Sequence, residues 1–206
     1  MSGVSVIIVT CGVRGFLRAC LDSVHRQSSP VREVIVIDNS LDPGLRARLG
    51  DCLSGVNLVS NARNQPYGVS LNQGIRISSG EFILCLNDDV TLEPGYVGEA
   101  LKGFSAGGRV GMVSGKILRP DRKTIDSTGL FLTMYRTAKE RGYGLPDLGQ
   151  YQSAGPVFGV SGAAAFYRRS MLFDVADRGG FFDPDFGMFY EDLDIAWRAH
   201  RRGWKG

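Results

Sequence analysis

The sequence holds no apolar run near the ~20 residues that a membrane-crossing helix requires. Its opening apolar run, Val4 to Val9, is short and lacks the basic flank of a secretion signal, so the chain reads as soluble. Cysteine is sparse: Cys11, Cys20, Cys52 and Cys85 show no C-x-x-C spacing. That argues against a zinc site or disulfide framework and for a reducing compartment. Cys11 and Cys85 stand in apolar, strand-like surroundings, where a free cysteine packs as a small hydrophobe. The two histidines, His25 and His200, fall inside amphipathic segments and read as structural. There is no long run of one charge. Lys plus Arg is 24 and Asp plus Glu is 21, a net +3, so charge suggests no nucleic-acid partner. A basic cluster at Arg198, His200, Arg201, Arg202 and Lys205 suits a solvated helix face better than an anion site. No G-x-G-x-x-G turn follows the first apolar run. Gly12-Val13-Arg14-Gly15 stands there instead and excludes a dinucleotide-dependent oxidoreductase.

What is present fits one medium-sized domain: 43% of the residues are hydrophobic and 22% charged. The 28 glycines are roughly twice average usage, as in a chain rich in turns or in close approaches to a ligand. Val4–Thr10 reads as a buried strand, and 14–27 as a helix with Phe16, Leu17, Cys20, Leu21 and Val24 on its apolar side. Strands follow at Val34–Ile37, Val56–Val59 and Glu81–Leu86. Ser70 to Ile77 reads as a helix, and Pro94 opens another. Buried strands alternating with amphipathic helices predict an α/β fold, with a mostly parallel central sheet covered by helices on both faces. In such sheets ligands bind beyond the carboxyl ends of the strands. Three polar clusters fall there: Thr10-Cys11-Gly12, Asp38-Asn39-Ser40 and Asn87-Asp88-Asp89. The stretch 119–156 is irregular, rich in Gly and Pro, with two short strand candidates. A strand at Ala163–Tyr167, a helix near Ser170, an aromatic segment from Gly179 to Tyr190 and a helix from Glu191 to Arg202 complete the chain.

Each cluster admits a chemical and a plainer reading. Asn87-Asp88-Asp89 offers two carboxylates and an amide, a donor set for Mg²⁺ or Mn²⁺ beside a substrate diphosphate, or else forms an ordinary strand-ending turn. Glu191, Asp192 and Asp194 open a helix, where acidic residues complement the helix dipole. Asp192 also follows Phe181, Phe182, Phe186, Phe189 and Tyr190, an apolar wall that tunes a carboxylate for general-base work or carries an acceptor. Asp194 and Arg198, four apart, make a surface pair. Asp38 is placed to meet a base or ribose, or forms a turn with Asn39. Asn61, Arg63, Asn64, Gly68, Asn72 and Gly74 form a polar loop running into a helix. There Arg63 either meets a phosphate or the loop only caps its helix.

In this order the motifs resemble the family 2 glycosyltransferases of GT-A fold, in particular their rhamnosyltransferase-like branch. Val4-Ser5-Val6-Ile7-Ile8-Val9-Thr10 resembles the first strand, and Glu33 to Ser40 the base-binding strand and turn. Asn64, Tyr67, Asn72 and Gly74 resemble the following loop and helix, and Leu86-Asn87-Asp88-Asp89-Val90 the metal motif. Ser161-Gly162-Ala163 with Arg168-Arg169 resembles a strand near the acceptor. Gly180-Phe181-Phe182-Asp183 through Tyr190-Glu191-Asp192-Leu193-Asp194, with Trp197-Arg198 and Gly203-Trp204, is the most specific match. The resemblance implies a Rossmann-type α/β/α sandwich over 1–206. Residues 1–115 would bind the nucleotide sugar and 116–206 the acceptor. The implied reaction is metal-dependent, inverting transfer from a nucleoside-diphosphate sugar to a glycan or lipid-linked saccharide. Asp89 would hold Mn²⁺ or Mg²⁺. Thr10, Asp38, Asn39, Arg63, Asn64, Asn72, Asn87 and Asp88 would bind the nucleotide sugar, with Asp38 on the base. Gly162, Ala163, Tyr190 and Asp194 would meet the acceptor. Asp192 would be the general base, supported by Glu191.

Three departures accompany the resemblance. Cys11-Gly12 stands where the family often has Tyr-Asn, Pro66 where it usually has Gly, and Asn87 replaces the first acidic residue of the metal motif. After Gly203-Trp204 such enzymes continue with a strand and a histidine that completes the metal site. The chain is therefore expected to be C-terminally truncated relative to the family. It is either a cytoplasmic catalytic portion that works at the inner face of the membrane through its missing C-terminal part, or a non-catalytic sugar-nucleotide-binding module. A nucleotidyltransferase would need a glycine-rich, basic N-terminal loop that the sequence lacks.

Overall fold

The computed structural model describes residues 3–12, 15–107 and 109–206. The first half alternates as the pattern predicts: β1 (Val4–Thr10), α1 (Leu17–His25), β2 (Glu33–Asp38), α2 (Leu45–Leu49), β3 (Val56–Ser60), α3 (Tyr67–Ile77), β4 (Phe82–Asn87) and α4 (Tyr96–Phe104). The second half adds β5 (Met112–Ser114), β6 (Ile117–Leu118), β7 (Ile125–Ser127), β8 (Leu130–Leu132), β9 (Ala138–Glu140), β10 (Ala164–Arg168), α5 (Arg169–Val175) and α6 (Glu191–Arg201). The stretch read as having two short strands therefore holds three, β7 to β9. The helix expected from residue 14 is seen from Leu17; Arg14 lies outside the described residues. Phe16, placed on its apolar side, is 47% exposed, whereas Leu17, Cys20, Leu21 and Val24 are buried.

The main sheet has the order β3-β2-β1-β4-β10-β5. The first four strands are parallel, and β10 runs antiparallel to both β4 and β5. The two halves of the chain thus share one sheet. All seven residues of β1 are buried, and burying each Val or Ile there stabilises by roughly 1.5–3 kcal/mol. Alternation sends Val6, Ile8, Val36 and Leu84 to the face covered by α1, α2 and α4. Ile7, Val9, Ile35 and Ile83 face the layer of α3, α5 and α6. Strand period two meeting helices on both sides is why these runs are mostly apolar, Ser5 being the buried exception inside β1.

The strand order turns at β1–β4, where β2 leaves to one side of β1 and β4 lies on the other. That switch opens a crevice at the carboxyl ends of the two strands. Beyond β5, β6 pairs with β7 and β8 with β9. Leu130 of β8 also bonds to Gly159 and Phe158 on its other edge. Gly159 is required there, because a Cβ would stand 2.9 Å from Ala196 of α6.

Candidate active site

The register confirms that the three polar clusters share one edge: Thr10 is paired with Asp38, and Val9 with Asn87. Across the switch point Thr10 Oγ1 donates to Asp88 Oδ2 at 2.5 Å, and the Gly12 amide donates back to Thr10 Oγ1 at 3.0 Å. Gly12 has φ +71°, and a side chain there would strike Ser40, so the turn after β1 needs glycine. Burial raises the Asp88 carboxyl above its ordinary range, the Thr10 bond opposes this, and the charge of Asp89 adds to it. Asp89 is exposed. Cys11 is exposed as well, contrary to the apolar surroundings expected for it, because it stands just past the last strand residue; Cys85 is buried as expected. Asp38 is buried and accepts from the Ser40 amide at 2.8 Å and from Ser60 Oγ at 3.1 Å. It borders a cleft of ≈ 450 Å³ shared with Leu41, Pro43, Arg46 and Asn61.

The second half brings its carboxylates to the same edge. The Asn87 amide donates to Ala163 O at 3.0 Å, so the end of β4 is tied to the turn before β10. The Tyr67 hydroxyl, at the start of α3, donates to Asn87 Oδ1 at 2.7 Å and lies 3.4 Å from Gly162 O. The Gly162 amide donates to Asp192 Oδ2 at 3.0 Å, and the Leu193 amide to Asp192 Oδ1 at 2.8 Å. A Cβ on Gly162 would lie 3.4 Å from oxygens of both Asp192 and Glu191. Asn87, Tyr67, Gly162 and Asp192 therefore form one connected series from the metal-type motif to the candidate base.

Burial raises the carboxyl groups of Asp192 and Glu191, against the backbone amides that lower them; for Glu191 the Asp192 charge adds to the rise. Glu191 is 8% exposed, and its Oε2 has no partner among the described residues. The helix dipole at the start of α6 favours charge here, but desolvation is the larger effect. Immediately before, Phe189 and Tyr190 have φ +73° and +69°, a conformation costly for side chains with a Cβ and concentrated at functional sites.

The aromatic wall divides. Phe181 and Phe182 are core residues, whereas Phe186, Phe189 and Tyr190 are exposed. Asp194 is no surface residue: its ion pair with Arg198, at 2.7 Å, is mostly buried, and Arg198 also donates to Val175 O and Phe181 O, clasping α6 to α5. Asn39 is buried and bonded to Gln65 O, Ser70 Oγ and Asn61. Asn72 is buried, and its amide holds both NH groups of Phe181 and Phe182 and the Phe182 carbonyl. Both asparagines thus direct their polar atoms into the protein. Arg63 and Asn64 are exposed on the loop before α3. His200 bonds to Phe158 O and stacks on its ring, the structural place expected of it.

Tyr67 entered the sequence reading only as a motif position, and Glu140, whose carboxyl senses the charge of Asp192, was not singled out. No local signal marks either, since their partners lie far along the chain. Among the described residues no group of three or more His, Cys, Asp or Glu side chains could hold a metal. The paired Asp88 and Asp89 still suit Mg²⁺ or Mn²⁺, which commonly take one or two carboxylates and complete their shell with phosphate oxygens and water. A larger cavity, ≈ 640 Å³, lies at the β5 edge; of the residues singled out from the sequence it includes Lys205 of the basic cluster and none of the candidate catalytic, nucleotide-sugar, acceptor or metal residues.

The fold and this edge define a GT-A-type α/β protein. Residues 5–175 match the model of the family described as "Glycosyl transferase family 2", and the chain belongs to that family. It is similar to the poly-beta-1,6-N-acetyl-D-glucosamine synthase of Staphylococcus epidermidis, with 23% identity over 97% of this chain and 46% of the relative. Among solved structures it resembles the mannosyltransferase PcManGT from Pyrobaculum calidifontis in complex with GDP-Man and Mn²⁺, with TM-score 0.69, 20% identity, and coverage of 98% of this chain and 53% of that one. It also resembles GalNAc-T7 with UDP, GalNAc and Mn²⁺, with TM-score 0.72, 16% identity, and coverage of 100% and 42%. The chain spans about half the length of the curated relatives it matches. No described helix is long and apolar enough to cross a membrane.

Proposed function

We propose that this chain transfers a sugar, with inversion, from a nucleoside-diphosphate donor to a hydroxyl of a glycan or lipid-linked saccharide. The observation that carries this reading is the connected series Asn87–Tyr67–Gly162–Asp192. It sets a diphosphate-type motif and a partly buried carboxylate at one sheet edge, as in-line displacement requires. Asp192 takes the proton from the acceptor hydroxyl. The freed oxygen attacks the anomeric carbon as the bond to the diphosphate breaks, and the configuration inverts. Asp38 and its adjoining cleft receive the base; Asn87 and Asp88 meet the ribose and diphosphate. Arg63 and Asn64 are free to swing onto the donor, and Gly162, Ala163 and Tyr190 border the acceptor. Asp89 beside Asp88 would hold Mn²⁺ or Mg²⁺, which offsets charge on the departing diphosphate. The Mn²⁺ named with both structural neighbours, beside GDP-Man in one and UDP in the other, supports that choice.

Asn87 in place of an acidic residue supports the rhamnosyltransferase-like branch and a hexose or deoxyhexose donor. The Staphylococcus relative supports polysaccharide biosynthesis. Four free cysteines support a cytoplasmic setting, with work at the inner membrane face when the acceptor is lipid-linked.

The test is donor hydrolysis and transfer with Mn²⁺ across a panel of UDP-, GDP- and dTDP-sugars. Turnover of one donor that is lost in EDTA is expected. Tight nucleotide binding with no turnover on the whole panel would overturn the enzyme reading in favour of a binding module.

A further inference from the structure

The hairpin of β8 and β9 takes no part in the mechanism above, and its tip carries side chains that the fold leaves uncovered. Met134 is 87% exposed, the highest value for a large apolar side chain among the described residues, and Tyr135 beside it is 80% exposed. Phe131, lower on β8, is exposed as well and pairs across the hairpin with the exposed Lys139. Arg136 completes the open tip. From Ser127 to Lys139 the chain holds these two basic residues and no acidic one. Among the described residues neither cation forms an ion pair.

The loop at the tip closes its own hydrogen bonds. The Thr133 amide donates to Thr137 O at 2.9 Å, and the Arg136 amide to Thr133 O at 2.9 Å. Thr133 Oγ1 accepts from the Tyr135 and Thr137 amides, each at 3.3 Å, and lies 2.6 Å from Thr137 Oγ1. The tip can therefore leave water without stranding these donors. Arg136 has φ +59°, the left-handed position where a three-residue hairpin loop ordinarily takes glycine. A chain with 28 glycines keeps a strained arginine there instead.

At the foot of the hairpin Leu130 pairs antiparallel with Gly159, so β8 runs away from the Gly162 turn. Met134, four residues on, stands roughly 13 Å further along at the usual strand rise. This projection decides the occupant. Small-molecule sites are concave, and a stable protein interface buries about 800 Å² on each partner, far more than three side chains on a tip can offer. A bilayer surface is soft and planar and needs neither. Its headgroup layer receives methionine and tyrosine, while anionic lipids complement cations whose stems lie along the apolar layer.

We propose that the β8–β9 tip docks the protein on an anionic bilayer surface, with Met134 and Tyr135 entering the headgroup layer and Arg136 and Lys139 meeting lipid phosphates. This deepens the reading of work at a membrane face, but its test does not need turnover. The 206-residue chain is sedimented with vesicles of phosphatidylglycerol and phosphatidylcholine in equal parts, and with phosphatidylcholine alone. Wild type binds the mixed vesicles more tightly, and added salt weakens that binding. Met134→Ser combined with Tyr135→Ser weakens it by about tenfold, the scale of one apolar side chain returned to water. Arg136→Gly weakens it by about fivefold, the share of one basic residue at an anionic surface. The same change does not lower Tm, because glycine suits the turn. Binding and stability thus part company, which a purely structural arginine would not produce. Tyr135→Trp reports entry directly, its emission moving to shorter wavelength on the mixed vesicles. Wild type that stays off the mixed vesicles, or a double serine variant that binds them as wild type does, would overturn the proposal. In the second case a loss in Arg201→Ala/Arg202→Ala would move the contact to the end of α6. Wild type that ignores vesicles but loses oligomeric mass in the double variant would also overturn it, in favour of a protein partner. Failure to turn over any donor would instead overturn the transfer reading and leave this docking standing.

Discussion

Gly162 donates its amide to Asp192 Oδ2 at 3.0 Å while its own carbonyl lies 3.4 Å from the Tyr67 hydroxyl. One residue thus links the candidate base to the tyrosine that grips Asn87 at the end of β4. A Cβ at this position would stand in van der Waals contact with carboxylate oxygens of both Asp192 and Glu191, at 3.4 Å. Asp192 is therefore held by backbone amides and Asn87 by a tyrosine hydroxyl from the start of α3, which suits a site that must keep a nucleophile aligned.

Asp192→Asn removes the proton acceptor and keeps the shape. Donor turnover is expected to fall by about 10²–10⁴-fold, the usual share of general-base catalysis. The nucleotide Kd, measured by calorimetry, stays within about twofold, a change too small to count as a lost contact. Turnover equal to wild type would remove Asp192 from the role.

Asp89→Ala tests the diphosphate end. Nucleotide binding in Mn²⁺ is expected to weaken by about tenfold or more, the loss of one charged ligand contact, whereas binding in EDTA is unaffected. Equal losses with and without metal would show that Asp89 contributes through folding alone.

The carboxyls of Glu191 and Asp192 are lifted above their ordinary range by burial. The folded chain then holds these protons to higher pH than the unfolded chain does. The associated stability is present in full below about pH 4, the unfolded range, and is lost as pH rises through the folded values. Glu191→Gln removes part of that loss. Its Tm should match wild type near pH 4 and exceed it at pH 7, and a gain of equal size at both would contradict the linkage. For the same reason the acidic limb of turnover should lie above the ordinary aspartate range.

Asn72 satisfies three backbone groups of the Phe181–Phe182 segment, all buried. Asn72→Ala leaves them unpaired and is expected to destabilise the protein by about 3 kcal/mol, read as a lower urea midpoint at constant slope. A loss below about 0.5 kcal/mol, the level of an ordinary surface change, would mean the segment is held by its aromatic rings alone.

Much of the donor half was legible in the residues. Runs such as Val34–Ile37 and Phe82–Leu86 are buried on both faces, so they read as strands without any tertiary information. Polar residues can begin only where such a strand leaves the core, which is why Asp38 and Asn87-Asp88-Asp89 mark one edge. The antiparallel course of β10 was not legible: an apolar run has the same pattern in either direction. Nor was the inward turn of Asn39 and Asn72, because the groups they satisfy are remote in sequence, those of Asn72 about a hundred residues on.

By itself the sequence determined the alternating α/β order, the polar edge of the sheet and the acidic start of the last helix, since each follows from local periodicity and from what a strand or helix end tolerates. Only the tertiary structure decided which polar groups meet there. It joined Tyr67 to Asn87 and Gly162 to Asp192, and it withdrew Asp194 into a clasp with Arg198. The physical reason is that burial is written in the spacing of neighbouring residues, whereas hydrogen-bond partners and desolvation depend on segments that only the fold brings together.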